Sequence, residues 1–387
     1  MQRGMTGRFE VTAVGGERVR AYVPAPLPPH PAIEMSAERQ RLLESALLAC
    51  GRLDAICTLL PDPDLFLYSY VRREAVLSSQ IEGTQSSLSD LLLFELEDAP
   101  GVPFDDVVEV SNYVGALEHG INRLAEGFPL CNRLLREVHA KLLSRGRGAT
   151  KQPGEFRKGQ VWVGGASPAL AHFVPPPPDA LDALLGDLER FLHAPPDQMP
   201  PLVKAALAHV QFETIHPFSD GNGRLGRLLI ALILCSEGVL REPSLYLSLY
   251  FKRRRADYYD RLNAVRVHGD WEGWLGFFLD GVAETAQQAV DTAQHLLALL
   301  ARDRERIAGL GKRAGNVGLV FDQFARRVIL SVPQVAPQLP LSAPTIRAAV
   351  ETLQDLEIVN ELTGQQRNRV FAYSQYLDIL GEGAQPL

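Results

Sequence analysis

The sequence predicts a mainly α protein, on three observations. Apolar residues recur at helical spacing through most of the chain. With 387 residues and 46% hydrophobic content, the chain has enough apolar side chains for a sizeable core. Short alternating runs beside turn residues occur in only three places, near the start, the middle and the end. We therefore expect a helical core that carries small hairpins and a separate C-terminal unit.

The N-terminal segment, residues 1–35, is expected to form an arm. Residues 9–23 place two β-prone runs on either side of Gly15 and Gly16, which indicates a short hairpin. The proline-rich residues 24–31 favour an extended connector.

Two helices are predicted in residues 36–100. Ser36 can cap the first, which should run to about Cys57. The second follows a proline pair and should run from about Leu65 to Ile81.

Residues 101–310 are expected to form the helical core. Their apolar patterns predict helices at residues 104–124, 132–144, 202–212, 228–235 and 271–307. Residues 153–178 break this pattern. Within them, residues 160–163 and 171–174 alternate around Gly164 and Gly165, so we predict a β-hairpin flap. A hairpin that merely covers the core is the alternative.

The C-terminal part is predicted to begin after a glycine-rich, basic linker at residues 309–318. Helical patterns at residues 321–330 and 342–356, followed by two strand-like runs, indicate a winged helix-turn-helix over residues 317–387. Five arginines and seven acidic residues give this segment a net charge of −2. DNA binding is therefore disfavoured, and contact with protein is preferred.

Residues 216–227 lie between two predicted helices, and we call them the signature loop. They contain a histidine, an aspartate and two arginines within twelve positions. Gly221, Asn222 and Gly223 stand where the second helix begins, so their backbone N–H groups can form an anion cradle. Arg224 and Arg227 lie one turn apart and can bind phosphate oxygens. The pattern predicts a nucleotide phosphate site.

Two further residues of the loop suggest phosphoryl or nucleotidyl transfer. Asp220 beside the cradle can hold Mg²⁺, which prefers one or two protein carboxylates together with substrate oxygens. His216 can accept a proton from an attacking hydroxyl near neutral pH. The alternative is a glycine turn between core helices, but it does not account for all of these residues together.

The signature loop resembles the Fic family motif His-x-Phe-x-(Asp/Glu)-Gly-Asn-Gly-Arg-x-x-Arg and matches each specified position. The resemblance covers most of residues 60–280. It implies a protein adenylyltransferase that moves AMP from ATP to a Ser, Thr or Tyr hydroxyl. His216 would be the general base and Asp220 the Mg²⁺ ligand. The implied nucleotide-binding residues are Gly221, Asn222, Gly223, Arg224, Leu225, Gly226 and Arg227.

Three residues at the end of the second helix resemble the inhibitory motif of the same family, (Ser/Thr)-x-x-x-Glu-(Gly/Asn). Ser78 and Glu82 lie four residues apart on one helical face, and Gly83 is suited to end the helix. The resemblance implies that Glu82 pairs with Arg227 and holds the enzyme inactive. A polar helix end exposed to water is the alternative.

The resemblance also suggests residues that contact the adenine ring of ATP, and it suggests binding partners. Tyr258 and Tyr259 could contact adenine, although core positions are the more usual role of such residues. The flap, at residues 160–174, would hold the target protein by strand addition. Self-modification and a homodimer are further expectations.

Composition favours a cytoplasmic protein without a membrane partner, since the net charge is −7 and no apolar run reaches a membrane span. The sequence leaves two other functions open. One is a DNA-binding regulator that senses nucleotide, and the other is an enzyme that removes AMP with the same site.

Overall fold

The computed structural model describes residues 3–14, 16–59, 63–95, 104–195, 199–364 and 369–382. Helices dominate this part of the chain, as predicted. The helices are α1 (Ala37–Leu59), α2 (Pro63–Ile81), α3 (Leu88–Phe94), α4 (Phe104–Ala125), α5 (Asn132–Leu142), α6 (Leu181–Leu192), α7 (Pro201–Ile215), α8 (Asn222–Ser236), α9 (Ser248–Arg253), α10 (Arg255–His268), α11 (Trp271–Ala308), α12 (Ala314–Arg327), α13 (Val332–Val335), α14 (Ala343–Asp355) and α15 (Ser374–Gly381). The strands are β1 (Gly7–Val14), β2 (Glu17–Pro24), β3 (Ile329–Ser331), β4 (Asn360–Glu361) and β5 (Val370–Ala372).

Helix α7 lies at the centre of the core. All its side chains from Leu202 to Ile215 are buried, because other helices cover every face. It packs against α8, and the signature loop connects the two. Helices α4 and α5 pack as a pair beside α8, and α1 packs along the long helix α11. The signature loop is therefore held between the two most buried parts of the core.

The predicted N-terminal hairpin is present. Strands β1 and β2 pair antiparallel from Gly7 opposite Pro24 to Val14 opposite Glu17. The Tyr22 N–H donates to the Val174 carbonyl at 2.9 Å, so the hairpin continues onto the end of the predicted flap. Among the described residues, no helix is both long and apolar enough to cross a bilayer.

The prediction of two regular strands in residues 153–178 is wrong. The structure pairs only Val163 with Phe173, through a single antiparallel bridge. Gly164 and Gly165 have φ values of +69° and +76°, and they turn the chain immediately after Val163. A short 3₁₀ turn at Pro168–Leu170 then occupies residues that a longer hairpin would need. Prolines on both sides remove further N–H donors.

The predicted linker at residues 309–318 is also wrong in its second half, because α12 begins at Ala314. This helix buries an apolar face made of Val317, Val320 and Phe321. The stabilisation from that burial exceeds the loss of helix propensity at its glycines. The predicted helix to Leu330 ends earlier, at Arg327, and Leu330 lies in β3.

The order of elements α12, β3, α13, α14, β4, β5 is the order that a winged helix-turn-helix requires. The strands form one antiparallel sheet in the order β3, β5, β4. Ser342 caps α14 by accepting from the Thr345 N–H, as its sequence position suggested. The topology supports the winged-helix assignment, which stays a prediction.

Candidate active site at the start of helix α8

The signature loop is held in shape by its own side chains. His216 ends α7 in a left-handed conformation (φ 49°), and Gly221 precedes α8 with φ 75°. The Asn222 side chain accepts from the Phe218 N–H and donates to the Phe218 carbonyl, both at 2.9 Å. Asn222 thus closes the loop with its amide group and leaves its backbone N–H at the start of the helix.

The first turn of α8 has the backbone geometry that the predicted anion cradle requires. The Leu225 N–H is the first to bond back along the chain, to the Gly221 carbonyl at 3.0 Å, and the preceding N–H groups have no helical acceptor. A Cβ atom on Gly223 would lie 2.3 Å from Glu82 Oε1. The Glu82 carboxylate therefore lies against the backbone of Gly223, where a larger residue would displace it.

The predicted inhibitory residues meet Arg227, as the sequence suggested. Arg227 Nη2 donates to Glu82 Oε1 at 2.7 Å, and Arg227 Nε donates to Ser78 Oγ at 2.9 Å. Arg227 Nη2 also donates to the Ser78 carbonyl at 2.9 Å. Gly83 ends α2 with φ 101° and so turns the chain away after Glu82. Two acceptors on α2 and one on the residue that follows it thus occupy the guanidinium of Arg227.

The charges of this pair reinforce one another. Burial alone would raise the pKa of Glu82, but the charge and hydrogen bond of Arg227 outweigh it and lower that pKa below its usual value. Burial likewise disfavours the charged form of Arg227, yet Glu82 raises the pKa of Arg227 well above its usual value. Both groups therefore stay ionised at neutral pH, as an inhibitory ion pair requires.

His216 is half-buried at the other end of the loop. Burial lowers the pKa of His216 to about 4, and the positive charges of Arg157 and Arg266 add to the effect. The ring is therefore neutral near pH 7. Its Nδ1 is buried without a hydrogen-bond partner in the described part of the chain. A neutral imidazole of this kind can accept a proton from a hydroxyl.

Asp220 is the exposed carboxylate of the loop. Its side chain is 42% exposed, its Oδ1 accepts from the Gly221 N–H at 2.6 Å, and Arg224 Nη2 lies 3.8 Å away. No group of three or more possible metal ligands occurs among the described residues. One accessible carboxylate beside a phosphate cradle nevertheless fits Mg²⁺, because this ion completes its shell with water and substrate oxygens.

Arg224, predicted to bind phosphate, is already paired in this structure. Its Nη1 donates to Glu109 Oε2 at 3.0 Å, and both side chains are about 5% exposed. Glu109 in turn accepts from Arg147 Nε at 2.8 Å. The ion pair fixes the direction of the Arg224 guanidinium from the α4 side.

The remaining predicted nucleotide-binding residues differ in their surroundings. The Leu225 side chain is fully buried in the core, and Gly226 packs against Glu213 and Phe212 of α7. Both therefore support α8 and offer no side chain to a ligand.

The two tyrosines also differ. Tyr258 is 1% exposed and bonds through its hydroxyl to His209 Nε2 at 2.9 Å. Its assignment as an adenine wall is wrong, because aromatic packing against Phe251 and Trp274 encloses the ring. Tyr259 is 39% exposed, and its role stays a prediction.

Two residues that the sequence reasoning missed hold the loop from outside. Arg157 Nε donates to the His216 carbonyl at 2.8 Å, and its backbone N–H donates to the Pro217 carbonyl at 2.9 Å. His139 bonds to the Asp220 carbonyl at 3.0 Å. Nothing in the local sequence marks these residues, because their partners lie 59 to 81 positions away.

Comparison with known proteins decides the family. The profile described as the Fic/DOC family N-terminal domain matches residues 40–122, and the profile of the Fic/DOC family matches residues 129–234. This chain belongs to the Fic family. The first match contains Ser78 and Glu82, and the second contains the whole signature loop.

Curated relatives of this Fic protein carry the name protein adenylyltransferase Fic. The one from Culex quinquefasciatus is 34% identical over 192 residues, which is 47% of this chain and 35% of the relative. The one from Aedes aegypti is 34% identical over 171 residues, 43% of this chain and 31% of the relative. The aligned part therefore spans about a third of the length of these relatives.

Solved structures show the same fold. A Fic family protein from Desulfovibrio desulfuricans G20 superposes with a TM-score of 0.57 at 24% identity, covering 88% of this chain and 97% of that one. Fic-1 from C. elegans gives a TM-score of 0.52 at 24% identity, covering 68% and 74%. The overall architecture described above is thus that of the Fic fold.

Proposed function

We propose that this Fic protein is a protein adenylyltransferase that Glu82 holds inactive. One observation carries the proposal: a neutral His216 and an N–H cradle stand at the two ends of one loop, and Glu82 covers the cradle by pairing with Arg227. The relatives named protein adenylyltransferase Fic support the same activity.

The reaction we propose transfers AMP from ATP to a hydroxyl of a target protein. His216 accepts the proton of the hydroxyl, whose oxygen attacks the α-phosphorus of ATP while the bond to pyrophosphate breaks. The cradle N–H groups and Arg227 hold phosphate oxygens. Asp220 would hold Mg²⁺, which neutralises phosphate charge when bound.

Inhibition follows from the contacts of Glu82. Its carboxylate occupies the Arg227 donors that the γ-phosphate would need, and its negative charge repels the triphosphate. Ser78 holds the same guanidinium in place from the preceding turn of α2. Release requires α2 to withdraw or Glu82 to rotate away.

The target segment is proposed to dock along residues 160–174. Trp162 is 39% exposed and Leu170 is 70% exposed, so the region offers accessible apolar side chains. Beyond the Val163–Phe173 bridge and the bond from Tyr22 to Val174, its backbone is free of regular pairing among the described residues, which leaves room for strand addition. Self-modification, a homodimer and a cytoplasmic location stay predictions.

The test compares the wild type with Glu82→Gly and Glu82→Gly/His216→Ala. Each is incubated with Mg²⁺ and ATP labelled on the α-phosphate, together with a lysate as a source of targets. We expect at least tenfold more label on protein with Glu82→Gly, because the Arg227 donors become available. The label should disappear in the double variant, which lacks the base.

A matched control is Glu126→Gly. Glu126 also pairs with an arginine, Arg123, at 2.8 Å, but it lies on the surface at the end of α4. This variant should label protein no better than the wild type. If Glu82→Gly is folded and equally unreactive, AMP transfer is refuted as the default activity. Removal of AMP from a modified protein would then be measured with the same variants.

A further inference from the structure

His139 bridges two parts of the candidate site that are distant in sequence. It is fully buried on α5. Its Nε2 lies 3.0 Å from the Asp220 carbonyl, and its Nδ1 lies 2.8 Å from the Gly154 N–H. Its ring stacks on Phe218 with 3.7 Å between ring centres and 12° between the planes. Both nitrogens and one face of the imidazole are therefore in use.

The two partners fix the tautomer of the ring. A backbone N–H can only donate, so Nδ1 must accept from Gly154. A backbone carbonyl can only accept, so Nε2 must carry the hydrogen that is donated to Asp220. The resulting neutral imidazole satisfies both backbone groups.

The bond to Asp220 acts on the entrance of the anion cradle. The Asp220 carbonyl and the Gly221 N–H belong to one planar peptide group, so a fixed carbonyl also fixes the direction of that N–H. The same N–H donates to Asp220 Oδ1 at 2.6 Å. His139 consequently orients the carboxylate and the left-handed Gly221 together, although it lies behind the loop.

The bond to Gly154 acts on the opposite side of the loop. Gly154 has φ 80° and turns the chain toward Arg157. Arg157 then donates to the carbonyls of His216 and Pro217. His139 therefore holds Asp220, Arg157 holds His216 and Pro217, and residues 154–157 link the two.

We propose that His139 is a positioning residue for nucleotide binding, which sets the Asp220–Gly221 peptide at the start of the cradle. The inference rests on the function proposed above for this site. His139 contacts backbone groups of the loop from behind and acts on the ligand through Asp220 and Gly221.

The experiment separates the two hydrogen bonds of the ring in the Glu82→Gly background. The His139→Gln variant can present an amide N–H near the position of Nε2 and so keep the bond to Asp220. The His139→Asn variant can present a carbonyl oxygen near the position of Nδ1 and so keep the bond to Gly154. The His139→Phe variant keeps a ring against Phe218 and loses both bonds. Leu134→Ala, a fully buried site on the same helix, controls for lost stability.

Two quantities are measured at a temperature well below the thermal unfolding midpoint of each variant. The first is calorimetric affinity for an ATP analogue that cannot be cleaved between the α- and β-phosphates, at fixed Mg²⁺. The second is amide hydrogen exchange of Gly221 and Leu225, whose N–H groups are hydrogen-bonded within the loop. For His139→Phe and His139→Asn we expect at least tenfold weaker binding and at least tenfold faster exchange. His139→Gln should stay within about threefold of the parent for both, and Leu134→Ala should match the parent.

The proposal is overturned if His139→Gln is as impaired as His139→Phe, or if Leu134→Ala reproduces the loss at equal stability. It is also overturned if no His139 variant changes the exchange of Gly221 and Leu225. Failure of the proposed function gives a different result, because Glu82→Gly itself would then transfer no AMP. The exchange measurement needs neither catalysis nor nucleotide, so it still decides the role of His139.

Discussion

Glu213, at the end of α7, is a buried carboxyl that neither the predicted chemistry nor the signature motif includes. Its Oε1 is buried without a hydrogen-bond partner among the described residues. Burial raises the pKa of Glu213 to about 7, although the charge of Arg227 acts in the opposite direction. The Glu213 carboxyl group is therefore still partly protonated at neutral pH.

This shift makes stability depend on pH with a definite sign. Between the ordinary glutamate pKa and about 7, the folded state keeps a proton that the unfolded state has lost, so stability falls as pH rises. Over this window the loss is on the order of 3 kcal/mol. We expect Glu213→Gln to remove it, so that the variant gains stability relative to the wild type between pH 5 and 8. Urea unfolding at several pH values measures the difference.

Glu272→Gln serves as the control for this experiment. Burial acts against ionisation of Glu272, but the hydrogen bond from Arg3 lowers its pKa to about 2, so its linkage to stability lies at acidic pH, below the measured range. The stability difference between Glu272→Gln and the wild type should therefore stay constant from pH 5 to 8. Parallel curves for the wild type and Glu213→Gln would contradict the assignment of a raised pKa to Glu213.

At the residue scale, the sequence predicted site residues that are close together along the chain. It missed residues that reach the site from distant positions. The cradle, Asp220 and His216 lie within eight consecutive residues, and the geometry of a helix start fixes their relation. Glu109 and Arg157 contact the same loop from 115 and 59 positions away. Glu82 is also distant, and the family resemblance alone allowed its pairing with Arg227 to be predicted.

At the scale of elements, Gly226 is a point of close contact between α8 and side chains of α7. A Cβ atom there would lie 2.2 Å from Glu213 Oε1 and 3.3 Å from Phe212 Cδ1. A side chain at this position would therefore have to displace the Glu213 carboxyl group, which is buried. The packing of the two helices matters for the loop between them, because that loop begins and ends at helix ends.

We predict that Gly226→Ala destabilises the fold by about 1 to 3 kcal/mol, since the added methyl group must displace α7 or the Glu213 side chain. In a Glu213→Ala background the nearest clash disappears, and the cost should fall by about 0.5 kcal/mol or more. Chemical unfolding of the four proteins in this cycle gives the coupling.

Gly115→Ala provides the matched substitution in a helix. Gly115 lies in α4, and a Cβ atom there would meet nothing within 4 Å. It should therefore stabilise by about 0.5 to 1 kcal/mol, through helix propensity alone. Equal effects of alanine at the two glycines would show that close packing at Gly226 is unimportant.

The elements that the sequence predicted incorrectly share a physical reason. Alternation at residues 160–163 and 171–174 satisfied the strand pattern, but a strand also needs a paired edge, and the chain supplies one bridge. Glycines at the start of α12 suggested a linker, but burial of Phe321 and its neighbours stabilised a helix. In both cases the outcome depended on tertiary pairing or burial, which was missing in the first and present in the second.

At the scale of the whole molecule, buried polar contacts join the C-terminal unit to the core. Tyr373 donates to Asp303 Oδ2 of α11 at 2.6 Å, and both side chains are fully buried. Arg73 of α2 donates to the Glu382 carbonyl at 2.7 Å. The unit therefore contacts both the longest helix and the helix that ends in the inhibitory motif.

We predict that Tyr373→Phe lowers the free energy of unfolding by about 1 to 3 kcal/mol, because a buried carboxylate loses a donor. The C-terminal unit should become more susceptible to limited proteolysis than the core. Tyr246→Phe is the control, since the buried Tyr246 hydroxyl has no hydrogen-bond partner in the described chain. Equal protease sensitivity of the two variants would argue against Asp303 as an anchor of this unit.

The contact between Glu82 and Arg227, which we propose to be inhibitory, joins residues 145 positions apart within one folded chain. The effective concentration of a group tethered by even a short flexible linker is in the millimolar range. The Glu82 carboxylate follows directly on the packed helix α2, so it is confined more closely than a group on a flexible linker. Inhibition should therefore be independent of protein concentration, so dilution would leave it unchanged. ATP would then compete with the Glu82 carboxylate for Arg227, and this carboxylate stays beside Arg227 at every protein concentration.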